Sequence, residues 1–372
     1  MDLELTCPQR LQVSESPSGD PQYGHVIAGD PPPACDNGSS ASSSGHLSSL
    51  PVICRSVDLH SEPRHIRITV LLLLSTCTTP TAEPRIRLYS VLAMTRVTVI
   101  TGGAGGMGLA TAKVVGREQT VVLCDVRQDR LDGAATALAD LGVAATIVNA
   151  DVTDRNAVSR LLETAAGLGT VSAVIHAAGV SPSMGDAEYV MGTNALGTLH
   201  VNEAFFATAP DGAAIVNVAS MAAHLLPEEV IPAQHFPLAL EDQDRFLTEM
   251  LAACDLAPED MRSGFSYAIS KAFVKWYSSS QAERFNGRGL RIVSVSPGSI
   301  DTEMGRLEEQ AGAGAMVADA AVPRWGKPEE MADLLAYCAS ERAGYLTGTD
   351  ILNDGGVVAS MRERARLAAA GG

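Results

Sequence analysis

The apolar and polar residues follow different patterns in the two parts of this chain. From Met94 onward, short β-branched runs alternate with alanine-rich windows of helical length. The runs lie at 97–100, 120–123, 145–148, 171–175, 214–218 and 290–295. Alternation of strands and helices at this spacing predicts βαβ units that together build a parallel sheet.

Residues 1–93 show no such alternation. They contain Pro31-Pro32-Pro33, a serine-rich run at 39–44, no lysine, and no sustained period of 3.6 or 2. A segment of this composition buries too little apolar surface to offset the entropy lost on ordering. We therefore predict a disordered or dispensable leader, with Met94 as the true or a second start. A disordered regulatory tail is the alternative.

The folded domain is expected at 94–360, followed by a tail at 361–372. Arg362, Arg364 and Arg366 in that tail are typical of a solvated helical end rather than of a binding patch. A chain of 372 residues has room for two domains or for one large one.

The composition excludes several kinds of partner. The chain has 27 Lys and Arg against 43 Asp and Glu, and the resulting net charge of -16 repels nucleic-acid phosphates and anionic lipids. The longest strongly apolar run, at 70–74, is far shorter than the roughly 20 residues that cross a bilayer. We expect neither a nucleic acid nor a membrane as partner.

Cysteine and histidine positions argue against a disulfide scaffold and against a metal site. The seven cysteines are scattered, and no two have C-x-x-C spacing. The histidines of the folded part lack carboxylate or cysteine partners at ligand spacing. The extreme N-terminus lacks the basic and apolar regions of a secretory signal. These features predict a reduced, cytoplasmic protein that binds no metal.

A glycine-rich turn joins the first predicted strand of the folded part to a helix. Its sequence is Thr101-Gly102-Gly103-Ala104-Gly105-Gly106-Met107-Gly108. Glycines in this context let the backbone approach a pyrophosphate at the N-terminus of a helix. Two registers fit: G-x-G-x-x-G through 103, 105 and 108, and T-G-x-x-x-G-x-G through 101, 102, 106 and 108. A glycine-rich turn without a ligand is the alternative.

An acidic residue ends the next predicted strand. Asp125 lies 23 residues beyond Gly102, close to the roughly 20-residue offset at which a carboxylate meets the ribose of an adenosine. A carboxylate there accepts hydrogen bonds from the ribose hydroxyls and repels a 2′-phosphate, which favours NAD over NADP. Arg127 could contact a phosphate, and a solvated strand-end carboxylate is the alternative for Asp125.

Tyr267 and Lys271 share one face of a predicted helix, because they are four residues apart. An ammonium beside a phenol favours the phenolate and lowers its pKa from the ordinary value of about 10. Tyr267 is therefore a candidate acid/base group near neutral pH.

Several features occur together in a fixed order. They are the glycine turn, Asp125, Asp151-Val152, His176-Ala177-Ala178-Gly179, Asn194, Ser220, Tyr267 with Lys271, and Pro297-Gly298. On these features the chain resembles the short-chain dehydrogenase/reductase family over residues 95–357. The resemblance implies a single α/β domain of the Rossmann type, with a doubly wound sheet of seven parallel strands and helices on both faces. It places the last strand at 349–352, and it implies a homo-oligomer, either a dimer or a tetramer.

The resemblance assigns four catalytic roles. Tyr267 would exchange a proton with the substrate oxygen, and Lys271 would hold the nicotinamide ribose while lowering the tyrosine pKa. Ser220 would hydrogen-bond the same substrate oxygen, and Asn194 would complete a water-linked proton relay through Lys271. A helix N-cap is the alternative for Ser220, and a buried polar helix residue is the alternative for Asn194.

The resemblance also implies cofactor contacts along the cleft. Asp151 and Val152 resemble the pair that brackets the adenine, and Pro297, Gly298, Ile300 and Thr302 belong to a segment that resembles the loop beside the carboxamide. A plain turn is the alternative for Pro297-Gly298. The full set of predicted cofactor-binding residues is Thr101, Gly102, Gly106, Met107, Gly108, Asp125, Asp151, Val152, Ala178, Gly179, Tyr267, Lys271, Pro297, Gly298, Ile300 and Thr302.

The chain departs from the family pattern in two places. The glycine motif after the fourth strand usually begins with two asparagines, whereas here it begins with His176 and Ala177. A tolerated strand-end substitution is the preferred explanation, and a changed contact near the cofactor is the alternative. His176 is not proposed as catalytic.

The second departure is an insertion at 221–264, which separates Ser220 from Tyr267 by 47 residues. An apolar stripe within it consists of Phe246, Leu247, Met250, Leu251 and Cys254. The stripe predicts packing against the domain, a lid over the substrate, or a subunit interface. The insertion resembles the lengthened segment of bacterial 3α-hydroxysteroid dehydrogenase/carbonyl reductase-like members, and it weakens the expectation of the family's usual tetramer.

These features predict an NAD-dependent oxidoreductase that interconverts a secondary alcohol and a ketone. A small-molecule substrate with a sizeable apolar body, for example a hydroxysteroid, is favoured by the insertion together with Met221, Ala222, Leu225 and Leu226. Two alternatives keep the fold. One is a non-catalytic NAD(H)-binding sensor or scaffold, and the other is an NAD-dependent epimerase or dehydratase.

Overall fold

The computed structural model describes residues 53–61, 64–73, 87–91 and 95–370, with side chains in 95–309 and 312–370. Three strands precede the main domain: β1 (Ile53–Ser61), β2 (Arg64–Leu73) and β3 (Arg87–Val91). They pair antiparallel in the order β1-β2-β3. The sequence pattern did not predict these strands. That residues 1–93 are dispensable stays a prediction.

Seven parallel strands form the central sheet of the main domain. They are β4 (Arg96–Thr101), β5 (Thr120–Asp125), β6 (Ala145–Asn149), β7 (Thr170–His176), β8 (Ala214–Val218), β9 (Arg291–Pro297) and β10 (Asp350–Asn353). Their order is β10-β9-β8-β7-β4-β5-β6, and every pairing is parallel. The predicted seven-stranded parallel Rossmann sheet is confirmed.

Helices cover both faces of this sheet. They are α1 (Gly106–Val115), α2 (Gln128–Ala139), α3 (Arg155–Leu168), α4 (Ala187–Met191), α5 (Gly197–Thr208), α6 (Leu238–Glu241), α7 (Gln243–Cys254), α8 (Arg262–Ser280), α9 (Ala282–Asn286), α10 (Glu303–Leu307), α11 (Gly314–Asp319), α12 (Pro328–Ala339) and α13 (Val357–Ala370). Residues of α1, α2 and α12 share one buried apolar cluster, and residues of α3, α5 and α8 share another on the opposite face.

The strand order locates the functional edge of the sheet. The connection after β4 runs to β5 on one side of β4, whereas β7 lies on its other side. The winding direction of the sheet therefore reverses between β4 and β7. In doubly wound sheets, ligands bind in the crevice beyond the carboxyl ends of the strands at such a reversal. Here that crevice lies beyond Thr101 and His176, which are paired in the β4–β7 register.

The insertion packs against the domain. Phe246, Met250 and Cys254 are fully buried in the same apolar cluster as Phe273 of α8. Phe236 meets the Phe273 ring edge-on, with 5.5 Å between ring centroids. The structure describes all of residues 226–264, and none of them lines the large cleft described below. The lid and interface roles of the insertion stay predictions.

Within the part of the chain that the structure describes, every helix is too short or too polar to traverse a bilayer. The same residues contain no group of three or more His, Cys, Asp or Glu side chains arranged to hold a metal ion.

Candidate active site

Backbone conformation fixes the glycine turn between β4 and α1. Gly102 and Gly106 have φ of +64° and +52°, in the left-handed region that glycine tolerates. A Cβ on Gly102 would lie 2.7 Å from the Ala177 carbonyl oxygen, and one on Gly108 would lie 2.2 Å from the Gly102 oxygen. Two of the three glycines of the T-G-x-x-x-G-x-G register therefore need φ above zero, and the third allows no side chain.

This turn leaves room for an anion against the backbone at the start of α1. The first amides of a helix have no partner within the helix, and their dipoles attract negative charge. Thr302 lies across the cleft and would be 3.2 Å from a Cβ on Gly106. The turn thus forms a cradle of the kind that holds a dinucleotide pyrophosphate.

Asp125 lies at the carboxyl end of β5, beside the glycine turn. One of its carboxylate oxygens accepts a hydrogen bond from the Ala104 amide (3.4 Å), and the other accepts one from the Arg127 amide (3.3 Å). The Arg127 guanidinium pairs with Asp129 at 2.6 Å. An acidic group therefore lines the cleft here, and the nearest basic side chain along the sequence, Arg127, lines it as well but is paired with a carboxylate.

Ser220, Tyr267 and Lys271 lie together in the lining of the cleft. Ser220 follows β8 in an extended conformation and caps the next turn by accepting a hydrogen bond from the Ala222 amide (3.2 Å). Lys271 is 5% exposed, donates from Nζ to the Val218 carbonyl oxygen (3.0 Å), and lies 5.8 Å from the centroid of the Tyr267 ring. Ser220 therefore serves both as a cap and as a group of the site.

Desolvation sets the pKa values of the two titratable groups. It raises the pKa of Tyr267 above its usual value, and Glu308 adds to this rise while a hydrogen bond with Ser220 opposes it. Burial lowers the pKa of Lys271 to about 8. That Lys271 lowers the tyrosine pKa stays a prediction, although the net shift in the chain alone is upward. The cost of desolvating the phenolate dominates, and the ammonium lies beside the ring with a hydrogen bond to backbone.

Asn194 lies behind the cleft wall and is fully buried. It belongs to a π-helical turn, Gly192–Leu196, between α4 and α5. Its amide oxygen accepts a hydrogen bond from the Val180 amide (2.9 Å), and its amide nitrogen donates to the Val180 carbonyl (3.0 Å). A Cβ on Gly179 would lie 3.0 Å from Asn194 Oδ1 and 3.3 Å from Lys271 Nζ. Asn194 and Lys271 therefore converge around Gly179.

Most of the predicted site residues line one cleft with a volume of about 500 Å³. The exceptions are Thr101 and Asn194, which are 0% exposed and lie behind its wall. The β8–β9 side of the cleft continues into the loop after β9, where Gly298 donates its amide to the Asn353 oxygen (3.0 Å). A Cβ on Gly298 would lie 2.6 Å from Asp354, so the close approach of these two loops requires glycine.

The structure adds lining residues that sequence patterns did not identify. Apolar and aromatic side chains among them are Met184, Tyr189, Leu307, Met316 and Trp325. They come from loops and short helices that are far apart in sequence and carry no shared motif. Only the fold brings them together.

Helix α10 crosses the cleft and contacts both walls. At its start, Thr302 accepts a hydrogen bond from the Gly305 amide (3.0 Å), and Glu303 pairs with Arg130 of α2 (2.6 Å). Just after its end, Glu308 accepts a hydrogen bond from the Ser183 amide (3.2 Å). Arg130 and Glu308 line the cleft, and neither was identified from the sequence.

The fold and this cleft define a dinucleotide-binding α/β protein with a Ser-Tyr-Lys centre. The family model for short chain dehydrogenases matches residues 96–232, and the model described as enoyl-(acyl carrier protein) reductase matches residues 253–358. The short-chain dehydrogenase/reductase bsc3 of Alternaria brassicicola is 32% identical over 272 residues, which are 72% of this chain and 98% of that protein. The chain belongs to the short-chain dehydrogenase/reductase family.

Two further similarities extend the comparison. The cis-4-hydroxycyclohexanecarboxylate dehydrogenase of Sinomonas cyclohexanicum is 29% identical over 266 residues, covering 71% of this chain and 97% of that enzyme. A crystal structure of a short-chain dehydrogenase from Burkholderia cenocepacia in complex with NADP is 22% identical, covers 70% of this chain and 96% of that one, and has a TM-score of 0.56. The second likeness bears on the fold alone.

A nicotinamide dinucleotide, which members of this family bind, fits the residues present. The glycine cradle lies at the start of α1, an acidic group lies at the end of β5, and a buried ammonium belongs to the lining of the same cleft. The chain is therefore an oxidoreductase of this family.

Proposed function

We propose that the chain interconverts a secondary alcohol and a ketone with NAD. The observation that carries this proposal is the convergence of Ser220, Tyr267 and Lys271 beside a glycine cradle. When bound, the nicotinamide supplies or accepts the hydride. A hydride transfer at carbon must be accompanied by a proton transfer at the attached oxygen, and that step needs an acid/base group and an orienting hydrogen bond.

Tyr267 is the proposed acid/base group. In ketone reduction its phenol donates the proton to the substrate oxygen, and Ser220 orients that oxygen from the neighbouring turn. Protonated Tyr267 suits this direction, because desolvation raises its pKa above the ordinary value. In alcohol oxidation the phenolate is required, so a positive charge brought close to the phenol would assist that direction.

Lys271 and Asn194 support this centre in the proposal. Lys271 holds the nicotinamide ribose through its ammonium and can pass a proton toward Tyr267. Asn194 keeps the 179–180 backbone in place beside that ammonium through its two hydrogen bonds to Val180. Both roles are consistent with the burial of these groups, since a buried polar group needs a defined partner.

NAD is the proposed cofactor on the basis of Asp125. Its carboxylate would accept hydrogen bonds from the two ribose hydroxyls and would repel a 2′-phosphate. The pairing of Arg127 with Asp129 supports this preference, since a guanidinium already paired with a carboxylate attracts a 2′-phosphate less strongly.

The proposed substrate is a small molecule with a sizeable apolar body. The support is the set of methionine, leucine and aromatic side chains that line the cleft, which favours apolar surface over charge. A hydroxysteroid and an alicyclic alcohol both have this character.

The remaining features of the proposal are a cytoplasmic location and a homo-oligomer, either a dimer or a tetramer. Among the described residues, the cysteines Cys124, Cys254 and Cys338 are free and buried. Reduced thiols are typical of a reducing compartment.

The test is NADH formation by the full-length chain with a panel of secondary alcohols that includes steroids and cyclohexanols, using NAD and NADP in parallel. We expect NADH formation with at least one apolar alcohol and a clear preference for NAD. Equal use of NADP would overturn the cofactor assignment. Binding of NADH without turnover of any alcohol or ketone would point to a sensor, or, if the cofactor stays bound through purification, to an epimerase or dehydratase.

A further inference from the structure

His176 lies at the end of β7 and is 1% exposed. Its Nδ1 is 2.7 Å from the Thr101 hydroxyl at the end of β4. Its Nε2 is 3.0 Å from the Thr198 hydroxyl on α5. The imidazole therefore bridges the strand below the glycine turn and the helix that follows Asn194.

The available protons allow only one direction of hydrogen bonding along this bridge. The Thr198 hydroxyl donates its single proton to the Asn194 carbonyl oxygen (2.7 Å), so it can only accept from His176, and Nε2 must carry hydrogen. Nδ1 is then an acceptor, and the Thr101 hydroxyl donates to it. Thr101 in turn accepts a hydrogen bond from the Ala178 amide (3.3 Å). With this one tautomer, every donor and acceptor in the series of hydrogen bonds from the Ala178 amide to the Asn194 carbonyl has a partner.

The surroundings keep the imidazole neutral. Burial lowers the pKa of His176 to about 3, and the positive charge of Lys271 contributes in the same direction. A protonated ring would place a hydrogen on Nδ1 as well, which would force the Thr101 hydroxyl to turn away. The bridge is therefore intact throughout the neutral range.

We propose that His176 is a positioning residue that holds the π-helical turn of Asn194 against the strand below the glycine cradle, acting as a neutral imidazole with hydrogen on Nε2. It acts through Thr198 on the backbone carbonyl of Asn194, while the Asn194 side chain is fixed independently by Val180. The effect on turnover rests on the proposed function, whereas the tautomer and the bridge do not.

Two substitutions separate the halves of the bridge. An asparagine has its polar atoms at the δ position only. The His176→Asn variant therefore retains the hydrogen bond with Thr101 and loses the hydrogen bond with Thr198. A glutamine places its amide at the ε position, so His176→Gln retains a donor to Thr198. Thr198→Val removes the hydroxyl, and Thr198→Ser is its matched control because it keeps one.

The first experiment is ¹⁵N NMR of the full-length chain with labelled histidine, in which His176 is identified by its loss in His176→Asn. We expect a neutral ring with hydrogen on Nε2 and no titration from pH 5 to 9. Hydrogen on Nδ1, or a titration within this range, would overturn the bridge whatever the enzyme's substrate.

The second experiment measures kcat and the NADH dissociation constant for the variants. We expect His176→Asn and Thr198→Val each to lower kcat about tenfold, because small displacements of a catalytic group are costly. The double variant should lose no more than either single one. His176→Gln and Thr198→Ser should stay within about threefold of the parent, and NADH binding should be unchanged in all.

Unchanged kcat in folded His176→Asn and Thr198→Val would overturn the positioning role. Equal losses of kcat in His176→Asn and His176→Gln would also overturn it, because a purely structural role would not depend on whether the polar atoms lie at the δ or the ε position. If the parent chain turns over no substrate, the proposed function fails, while the NMR experiment still decides the bridge.

Discussion

The two walls of the cleft hold their functional groups by different means. On the β4–β5 wall, backbone conformation shapes the site: Gly102 and Gly106 take positive φ, and Asp125 accepts hydrogen bonds from nearby amides. On the β7–β8 wall, side chains far apart in sequence hold one another, as in the bridge from Thr101 through His176 to Thr198. The first wall therefore depends on local conformation, and the second depends on the tertiary fold.

This difference predicts how each wall fails. A substitution on the β4–β5 wall, here called the cofactor wall, strains the backbone and weakens cofactor binding. A substitution on the β7–β8 wall, here called the catalytic wall, breaks a buried hydrogen bond and lowers turnover, while cofactor binding is largely retained.

Gly102→Ala should weaken NADH binding about 100-fold, because positive φ and a backbone contact at 2.7 Å both oppose a Cβ. Gly133→Ala is the matched control, since a Cβ there meets no described atom within 4 Å. It should bind NADH like the parent. Fluorescence titration measures both, and normal binding by Gly102→Ala would show that the turn does not carry the cofactor.

The buried His176 should make the free energy of unfolding depend on pH. Between pH 6.5 and about 3, the unfolded chain binds a proton at His176 that the folded chain does not, so stability falls as the pH falls. From pH 6.5 to 5 this amounts to about 2 kcal/mol. Denaturant unfolding at the two pH values should show that His176→Asn lacks this part of the loss. Equal losses in both proteins would contradict the buried neutral imidazole.

Asp125 should control cofactor choice. Asp125→Asn removes the repulsion of a 2′-phosphate, so the preference for NAD over NADP should fall about tenfold in kcat/KM. Asp129→Asn should shift the preference in the same direction but less, because it releases the Arg127 guanidinium. An unaltered preference in Asp125→Asn would place the ribose elsewhere.

Glu308 should select against acidic substrates. Its half-buried carboxylate lines the cleft and raises the pKa of Tyr267. Glu308→Gln should improve kcat/KM for a carboxylate-bearing alcohol about fivefold relative to a neutral alcohol of the same size. It should also move the tyrosine limb of the pH profile to lower pH. A parallel change for both alcohols would remove this role.

The same contrast explains which parts of the molecule were predictable from sequence. The sheet, the glycine turn and Asp125 follow from runs and spacings within about 30 residues. Ser220, Tyr267 and Lys271 needed the family pattern as well, because nothing local brings them together. The net rise of the Tyr267 pKa was not predicted, since desolvation depends on packing that a spacing does not encode.

The role of His176 could not be predicted from the sequence. The sequence marked it as a departure from the family pattern and favoured a tolerated substitution. Its two partners, Thr101 and Thr198, lie 75 and 22 residues away, so only the fold reveals the bridge. The π-helical turn that carries Asn194 has no sequence signal of its own.

The most direct test of the central claim is a paired measurement on Tyr267→Phe, with Tyr189→Phe as the control from the same cleft. The proposal predicts that Tyr267→Phe lowers kcat about 1,000-fold while binding NADH with the parent's dissociation constant. Tyr189→Phe should retain both values within about twofold. Turnover by Tyr267→Phe at the parent's rate would contradict the assignment of Tyr267 as the acid/base group.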